Sequence, residues 1–321
     1  MRSTEKMLIS DFLNGIHTVA ISGHVNPDGD CVGSILAVYG YIRKNHPEIE
    51  ADIFLEKPTD KLAFLKYIDV IDTEFAKDRT YDLMICVDCA SLERLGGAVK
   101  YFRTAAHTIN IDHHVSNPGY ADENYVFGGL SSCCEALYSF MDPEKIDKDM
   151  AISLYTGIIY DTGVFKYDAT TPATMRVAAD LLEYGIDTNF IIDESFYAKT
   201  YDENRILGHA LEKSRLACGG KVIYSWLTNA ELDEYGVSAS ETEGIVAQLK
   251  LTKDIHIAIF VRETAAPGEL KVSFRSDDTA DVNVLASSFG GGGHVRASGA
   301  TYKGTVEDCI ADVLKAAEDI L

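Results

Sequence analysis

The sequence predicts an α/β protein: an N-terminal, mainly parallel sheet with helices on both faces, a smaller C-terminal α+β domain, and a cleft between them. Three observations carry this. Apolar strand-like runs alternate with helix-period segments through the first 190 residues, the pattern of a parallel sheet. Beyond that point the alternation stops and two consecutive strands joined by a turn appear. The length of 321 residues suits two domains at roughly 150 residues each, both large enough to bury a core.

Taken in order, HTVAISGH (17–24) reads as a strand running into a polar loop. CVGSILAVYGYIRKN (31–45) has apolar residues at helical spacing. ADIFLE (51–56) is a strand, and YDLMICVD (81–88) is a nearly continuous apolar run, as expected of a strand covered on both faces. HTINIDHH (107–114) is another strand. Helices are predicted over 131–141, 150–163 and 172–185. A helical connector covers FYAKTYDENRILGHALEKSRL. A strand at 221–228, helical segments around 230–252 and strands at 254–263 and 269–276 follow, with APG (266–268) as the turn. Helices at 282–290 and from Thr305 onward end the chain, the last with a Thr cap and an acidic first turn. The domains are placed at 1–190 and 205–321.

Composition narrows the function. With 29 Lys+Arg against 50 Asp+Glu, the formal charge is −21. Proteins that track long DNA or RNA present basic grooves, because phosphate contacts dominate their affinity. Short or mononucleotide ligands suit this charge and long nucleic acid does not. No apolar run reaches the ~18 residues of a membrane span, and the N-terminus lacks a secretory pattern. Seven scattered cysteines, Cys86-Val87-Asp88-Cys89 included, read as reduced core thiols in a cytoplasmic protein.

Four acidic and imidazole clusters stand out: His24, Asp28 and Asp30 in HVNPDGD; Asp88 at a strand end; Asp112, His113 and His114 at the next; and Asp161 in a helical segment. Each alone has an ordinary explanation as a helix cap or a solvated residue. Together they put carboxylate or imidazole at the ends of three strands on one sheet edge, where ligands collect in open α/β sheets. Such carboxylates repel one another unless divalent cations neutralise them. Mixed Asp/His ligation without Cys suits Mn²⁺, and less well Mg²⁺ or Zn²⁺. The number of groups calls for two ions, an arrangement that catalyses phosphoryl displacement.

These ordered motifs resemble those of the DHH phosphoesterase superfamily, and SFRS…DVNVLASSFGGGGHVRASGA is similar to its DHHA1 domain. The size and the GGGH form resemble the nanoRNase group of bifunctional oligoribonucleases and pAp phosphatases. The resemblance implies that His24, Asp28 and Asp88 hold one ion. It implies that Asp30, Asp88, His113 and Asp161 hold the other, with Asp88 bridging and Mg²⁺ or Co²⁺ as substitutes for Mn²⁺. Asp112 would orient an imidazole, and His114 would protonate the leaving oxygen. Catalysis would thus rest on His114, Asp88 and Asp112. Two departures, Cys31 and Cys133, read as remote from the ligands.

In the C-terminal half, GGGGH (290–294) with Arg296 is the strongest signal. One glycine suffices to end a helix, and further glycines let backbone N–H groups approach a phosphate. Arg275, Ser276, Asn283, Gly291, Gly292, Gly293, His294 and Arg296 are the expected substrate contacts, with Asn283 either reading a base or capping its helix. The expected ligands are short oligoribonucleotides, pAp or dinucleotides, in a protein with no membrane partner and with a homodimer as its expected assembly. Hydrolysis of short oligoribonucleotides and of the pAp 3′-phosphate leads. A cyclic di-AMP or pApA phosphodiesterase is the alternative, and a catalytically silent nucleotide-binding protein is the reading from another class.

Overall fold

A computed structural model describes residues 7–321. The described residues divide into two compact units, one up to Ala198 and one from Lys199 to Leu321. In the first unit the strands are β1 (Thr18–Ser22), β2 (Glu50–Phe54), β3 (Ile71–Asp72), β4 (Leu83–Val87), β5 (His107–Asp112) and β6 (Glu123–Val126). Its helices are α1 (Ile9–Phe12), α2 (Gly29–Asn45), α3 (Val99–Thr104), α4 (Cys133–Phe140), α5 (Lys148–Thr162), α6 (Pro172–Leu182) and α7 (Thr188–Ile192). The sheet order is β3-β2-β1-β4-β5-β6, and every pairing is parallel.

The chain winds outward from β1 to β3, then crosses back to β4 and winds the other way. The switch point therefore lies between β1 and β4, where an open α/β sheet has its natural crevice. All five residues of β4, LMICV, are buried, because helices cover both faces. One face packs against α2, α4 and α5 through Val19, Ile21, Ile35, Leu137 and Ile158. The other holds Phe54, Met84 and Tyr101, with the Phe54 and Tyr101 rings stacked at 3.8 Å.

Glycine sets how closely α2 and α5 approach. A Cβ at Gly33 would lie 2.4 Å from the Ser153 carbonyl oxygen, and one at Gly157 would lie 2.6 Å from Asp30 Oδ1. Asp161 sits one turn beyond Gly157, so this contact brings Asp30 and Asp161 to one place.

The second unit contains α8 (Tyr201–Lys213), β7 (Arg215–Ala217), β8 (Val222–Leu227), α9 (Asn229–Tyr235), α10 (Ile245–Lys250), β9 (Ile257–Glu263), β10 (Glu269–Ser276), α11 (Val282–Ser288), β11 (Gly292–His294), β12 (Ala297–Lys303) and α12 (Val306–Glu318). Its sheet order is β11-β12-β10-β9-β8-β7, antiparallel except for the parallel β8–β9 pair. Apolar cores lie beneath α11 and α12 and beneath α8 to α10. The segment expected as a connector is α8, which packs Ile206 and Ala210 into this unit's core. The capping expected at Thr305 is present: its hydroxyl accepts the Asp308 N–H.

Candidate metal centre

His24, Asp88, Asp112 and His113 all stand at the carboxyl ends of the adjacent strands β1, β4 and β5. Asp30 comes from the first turn of α2 and Asp161 from the last turn of α5. The structure brings them together. His24 Nε2 lies 3.4 Å from Asp88 Oδ2 and 3.8 Å from Asp28 Oδ1. His113 Nε2 lies 3.1 Å from Asp161 Oδ2, 3.4 Å from Asp88 Oδ1 and 3.8 Å from Asp30 Oδ2. Asp88 thus turns one carboxylate oxygen toward each imidazole.

These separations fit shared cations. Two ligand atoms ~2.1 Å from one octahedral ion and at right angles to each other stand roughly 3 Å apart. His24 Nδ1 bonds the Val25 carbonyl at 2.9 Å, which commits Nδ1 as donor and leaves Nε2 as the ligating nitrogen. Asp88 Oδ1 is buried and accepts no hydrogen bond. An orphaned carboxylate oxygen in the interior is strongly unfavourable, and a divalent cation is the partner its surroundings lack. The donor set fits a metal.

Charge tells the same story. Burial works against imidazolium, yet the carboxylates of Asp28 and Asp88 lift His24 to about 10. His113, likewise opposed by burial, is lifted to about 11 by Asp161 and Asp88. Burial raises Asp30, and repulsion from Asp88 and Asp161 adds to it. Asp161 is raised by burial and by Asp88. Burial also opposes the Asp88 charge, but His113 and His24 hold its carboxyl well below the usual range. The carboxylates of this centre thus draw protons onto its imidazoles, as a site short of positive charge does.

Supporting contacts explain the geometry. Asp28 is the cap of α2, accepting the N–H groups of Asp30 and Cys31 at 3.0 and 3.1 Å. Its capping role and its place beside His24 coexist. Asp30, fully buried, accepts the Cys133 and Cys134 N–H groups at 2.6 and 2.9 Å, at the positive end of α4. Cys31 joins His24 and Asp88 in a group whose candidate donor atoms lie within 4.8 Å of one another. The two cysteines read as remote are therefore both in contact with the centre: Cys133 through its main chain, Cys31 through its neighbouring thiol. All seven cysteines are free.

Asp112 lies behind the cluster and orients His114, not His113. Its Oδ1 receives His114 Nδ1 at 2.8 Å. That contact, with burial opposing it, raises the His114 pKa.

In the second unit the glycine run separates by role. Gly290 adopts φ +71° at the end of α11, the left-handed helix ending that glycine favours. A Cβ at Gly291 would lie 2.2 Å from the Gly299 carbonyl oxygen, and one at Gly293 would lie 2.6 Å from that of Ala297. Close pairing of β11 with β12 therefore already requires those two glycines. Gly292 is open, with Asn283 Oδ1 3.8 Å from its Cβ position. Asn283 does not cap α11; Asp281 does, accepting the Asn283 and Val284 N–H groups. Ser276 Oγ donates to the Ala280 carbonyl at 2.7 Å, and Arg275 Nη1 to the Phe274 carbonyl at 2.8 Å. His294 is exposed, and Arg296 faces Asp278 at 3.7 Å.

A model of the DHH family N-terminal domain matches residues 18–158, and a DHHA1 domain model matches 219–321. The chain belongs to the DHH–DHHA1 family. The bifunctional oligoribonuclease and PAP phosphatase NrnA of Thermus thermophilus is 29% identical over 94% of this chain and 90% of its own length. The Bacillus subtilis protein of the same name is 29% identical over 88% of this chain and 89% of its own. A crystal structure of an exopolyphosphatase-related protein from Bacteroides fragilis shares the fold, with TM-score 0.84, 23% identity and coverage of 97% and 95% of the two chains. The DHH match spans the strand ends that carry His24, Asp88 and Asp112 to His114, while Asp161 lies three residues past it. No helix among the described residues is long and apolar enough to cross a membrane.

Proposed function

We propose that this chain is a two-metal phosphoesterase that hydrolyses short oligoribonucleotides and removes the 3′-phosphate of pAp in the cytoplasm. The observation that carries the reading is Asp88. Its buried carboxylate presents one oxygen to His24 and the other to His113, the latter without a hydrogen bond. Support comes also from the relatives in T. thermophilus and B. subtilis, both named bifunctional oligoribonuclease and PAP phosphatase.

His24, Asp28 and Asp88 would hold one ion, and Asp30, Asp88, His113 and Asp161 the other. Mn²⁺ is the ion we assign, with Mg²⁺ or Co²⁺ as substitutes. Bound cations supply activation of water and neutralisation of phosphate charge. The chain's own residues supply the rest. Asp112 holds His114 Nδ1, which leaves Nε2 to give a proton to the leaving oxygen. The second unit holds the remote end of the substrate. Arg275, Asn283, the open backbone at Gly292, His294 and Arg296 form the grip, and Ser276, Gly291 and Gly293 shape it. A remote grip orients the reacting phosphate and favours short chains.

The test is turnover of pAp, short RNA, pApA and cyclic di-AMP, side by side, by metal-free protein with Mn²⁺ added back. Preference for pAp and short oligoribonucleotides is expected. Preference for cyclic di-AMP or pApA alone would move the assignment to the dinucleotide alternative. No Mn²⁺-dependent turnover of any of the four would overturn the reading.

A further inference from the structure

We propose that Asn117 is a positioning residue shared by Asp88 and His114. The inference rests on the hydrolytic reading of the centre. The Asn117 carboxamide is fixed in orientation, because Gly119 N–H donates to its Oδ1 at 2.9 Å. Its Nδ2 then faces three acceptors: Asp112 Oδ2 at 2.6 Å, Asn110 Oδ1 at 2.7 Å and the Cys89 carbonyl at 3.2 Å.

The first arm runs to His114. Asp112 is wholly buried. Its Oδ1 receives His114 Nδ1 and the His113 N–H, both at 2.8 Å, while Asn117 takes Oδ2. Held at both oxygens, this carboxylate has one rotamer, and the imidazole on it has one tautomer and one orientation.

The second arm runs to Asp88. That residue has φ +49°, a left-handed conformation that a non-glycine residue adopts at a cost. Such strain persists where surrounding contacts over-determine it. Here they do. Asp88 N–H donates to the Ile111 carbonyl at 3.1 Å. On the following residue, three donors converge on the Cys89 carbonyl: Asn117 at 3.2 Å, Asn110 at 3.4 Å and Tyr120 Oη at 3.1 Å. The backbone is thus clamped on both sides of the bend that aims the Asp88 carboxylate between His24 and His113. One amide ties together the orientation of the bridging carboxylate and that of the proton donor. Tyr120 touches the Asp88 arm directly and has no direct bond to Asn117 or Asp112; it meets them through Asn110, whose Nδ2 donates to Tyr120 Oη at 3.1 Å.

The experiment compares Asn117→Ala and Tyr120→Phe with the wild type in the full chain. Three readouts are taken: ¹⁵N shifts of the His114 imidazole in metal-free protein, Mn²⁺ affinity by calorimetry, and kcat on two substrates. A 5′-phosphorylated diadenylate needs its leaving ribose oxygen protonated; bis(p-nitrophenyl) phosphate releases a phenolate that does not. Asn117→Ala is expected to shift the His114 tautomer and weaken Mn²⁺ ~10–100-fold, the range for partners behind metal ligands. It should also lower kcat on the diadenylate at least ~10-fold more than on the nitrophenyl ester. Tyr120→Phe is expected to weaken Mn²⁺ while leaving the His114 shifts and the substrate ratio as in wild type. Folded Asn117→Ala with wild-type His114 shifts and wild-type Mn²⁺ affinity overturns the proposal. Should that variant not fold, Asn117→Ser and Tyr120→Phe carry the comparison, and wild-type values of both readouts in both variants overturn it equally. If the wild type turns over neither substrate, the hydrolytic reading falls, and the imidazole shifts and Mn²⁺ titration still decide the role of Asn117.

Discussion

Clusters of carboxylates and bases in the two units put similar residue types to opposite ends. In the second unit, Glu231 accepts from His209 Nε2 at 2.8 Å, from Lys213 Nζ, and from the Thr228 N–H and hydroxyl at 2.8 and 2.9 Å. Burial opposes its charge, yet these donors hold its carboxyl at about 2. Asp277, matched by Thr279, His256 and Lys250, is also held at about 2 against burial. In the first unit, Asp30 and Asp161 are pushed up by burial and by neighbouring carboxylates, and Asp88 keeps a buried oxygen with no hydrogen bond. A satisfied cluster is part of the scaffold. An unsatisfied one persists in a folded protein where something else completes it.

The sharpest way to break this contrast is at Asp88. Asp88→Asn keeps the shape and removes the charge. It should lower Mn²⁺-dependent turnover by more than ~100-fold, beyond the range of groups behind the ligands, and abolish the rise in melting temperature on adding Mn²⁺. At 100-fold excess over Kd that rise corresponds to about 2.7 kcal/mol in the wild type.

Next in size is Gly291→Ala. It forces a methyl against the Gly299 carbonyl and should cost about 1–3 kcal/mol, as overpacking does, read by chemical denaturation. Gly292→Ala next to it should stay within ~0.5 kcal/mol and report on ligand binding alone. Equal losses at the two positions would remove the distinction between the glycine that packs and the glycine that is open.

Glu231→Gln should cost about 1 kcal/mol and leave Mn²⁺ binding unchanged. Its scaffold role also has a pH signature. The Glu231 carboxyl is depressed from 4.5 to about 2, so its contribution is present above pH 4.5 and is lost as pH falls toward 2.

The smallest effect is on the alkaline side of the metal-free protein. His24 and His113 are raised from 6.5 to about 10 and 11. Their contribution is complete below pH 6.5 and disappears as pH rises through 10 to 11. Melting curves should show that alkaline loss without metal and a flatter profile with Mn²⁺, since the ion takes the place of the protons.

Much of this is legible in the chain. The buried strands β1, β4 and β5 announce themselves as apolar runs, and each leads into a residue of the candidate centre: His24, Asp88, or Asp112 with His113. Strands at or near sheet edges are not visible in the same way. ENYV (β6), RLA (β7) and GGH (β11) are too polar or too short to be distinguished from loops. The glycine run looks like a phosphate cradle because the strand that packs against it, ASGATYK (β12), carries small residues in place of an apolar alternation. Which imidazole Asp112 orients is open in the sequence, since adjacent histidines differ only in where their rings point. Asn117 gives no signal at all: an asparagine three residues past two histidines reads as a turn residue until its amide is seen on Asp112 and Cys89.

The central claim is that Asp88 joins two cations. Counting bound Mn²⁺ per chain, by calorimetry on metal-free wild type and Asp88→Asn, tests it most directly. Two ions in the wild type, with both affinities weakened together in the variant, is the expected result. A single ion in the wild type, or two ions bound unchanged by Asp88→Asn, would contradict it.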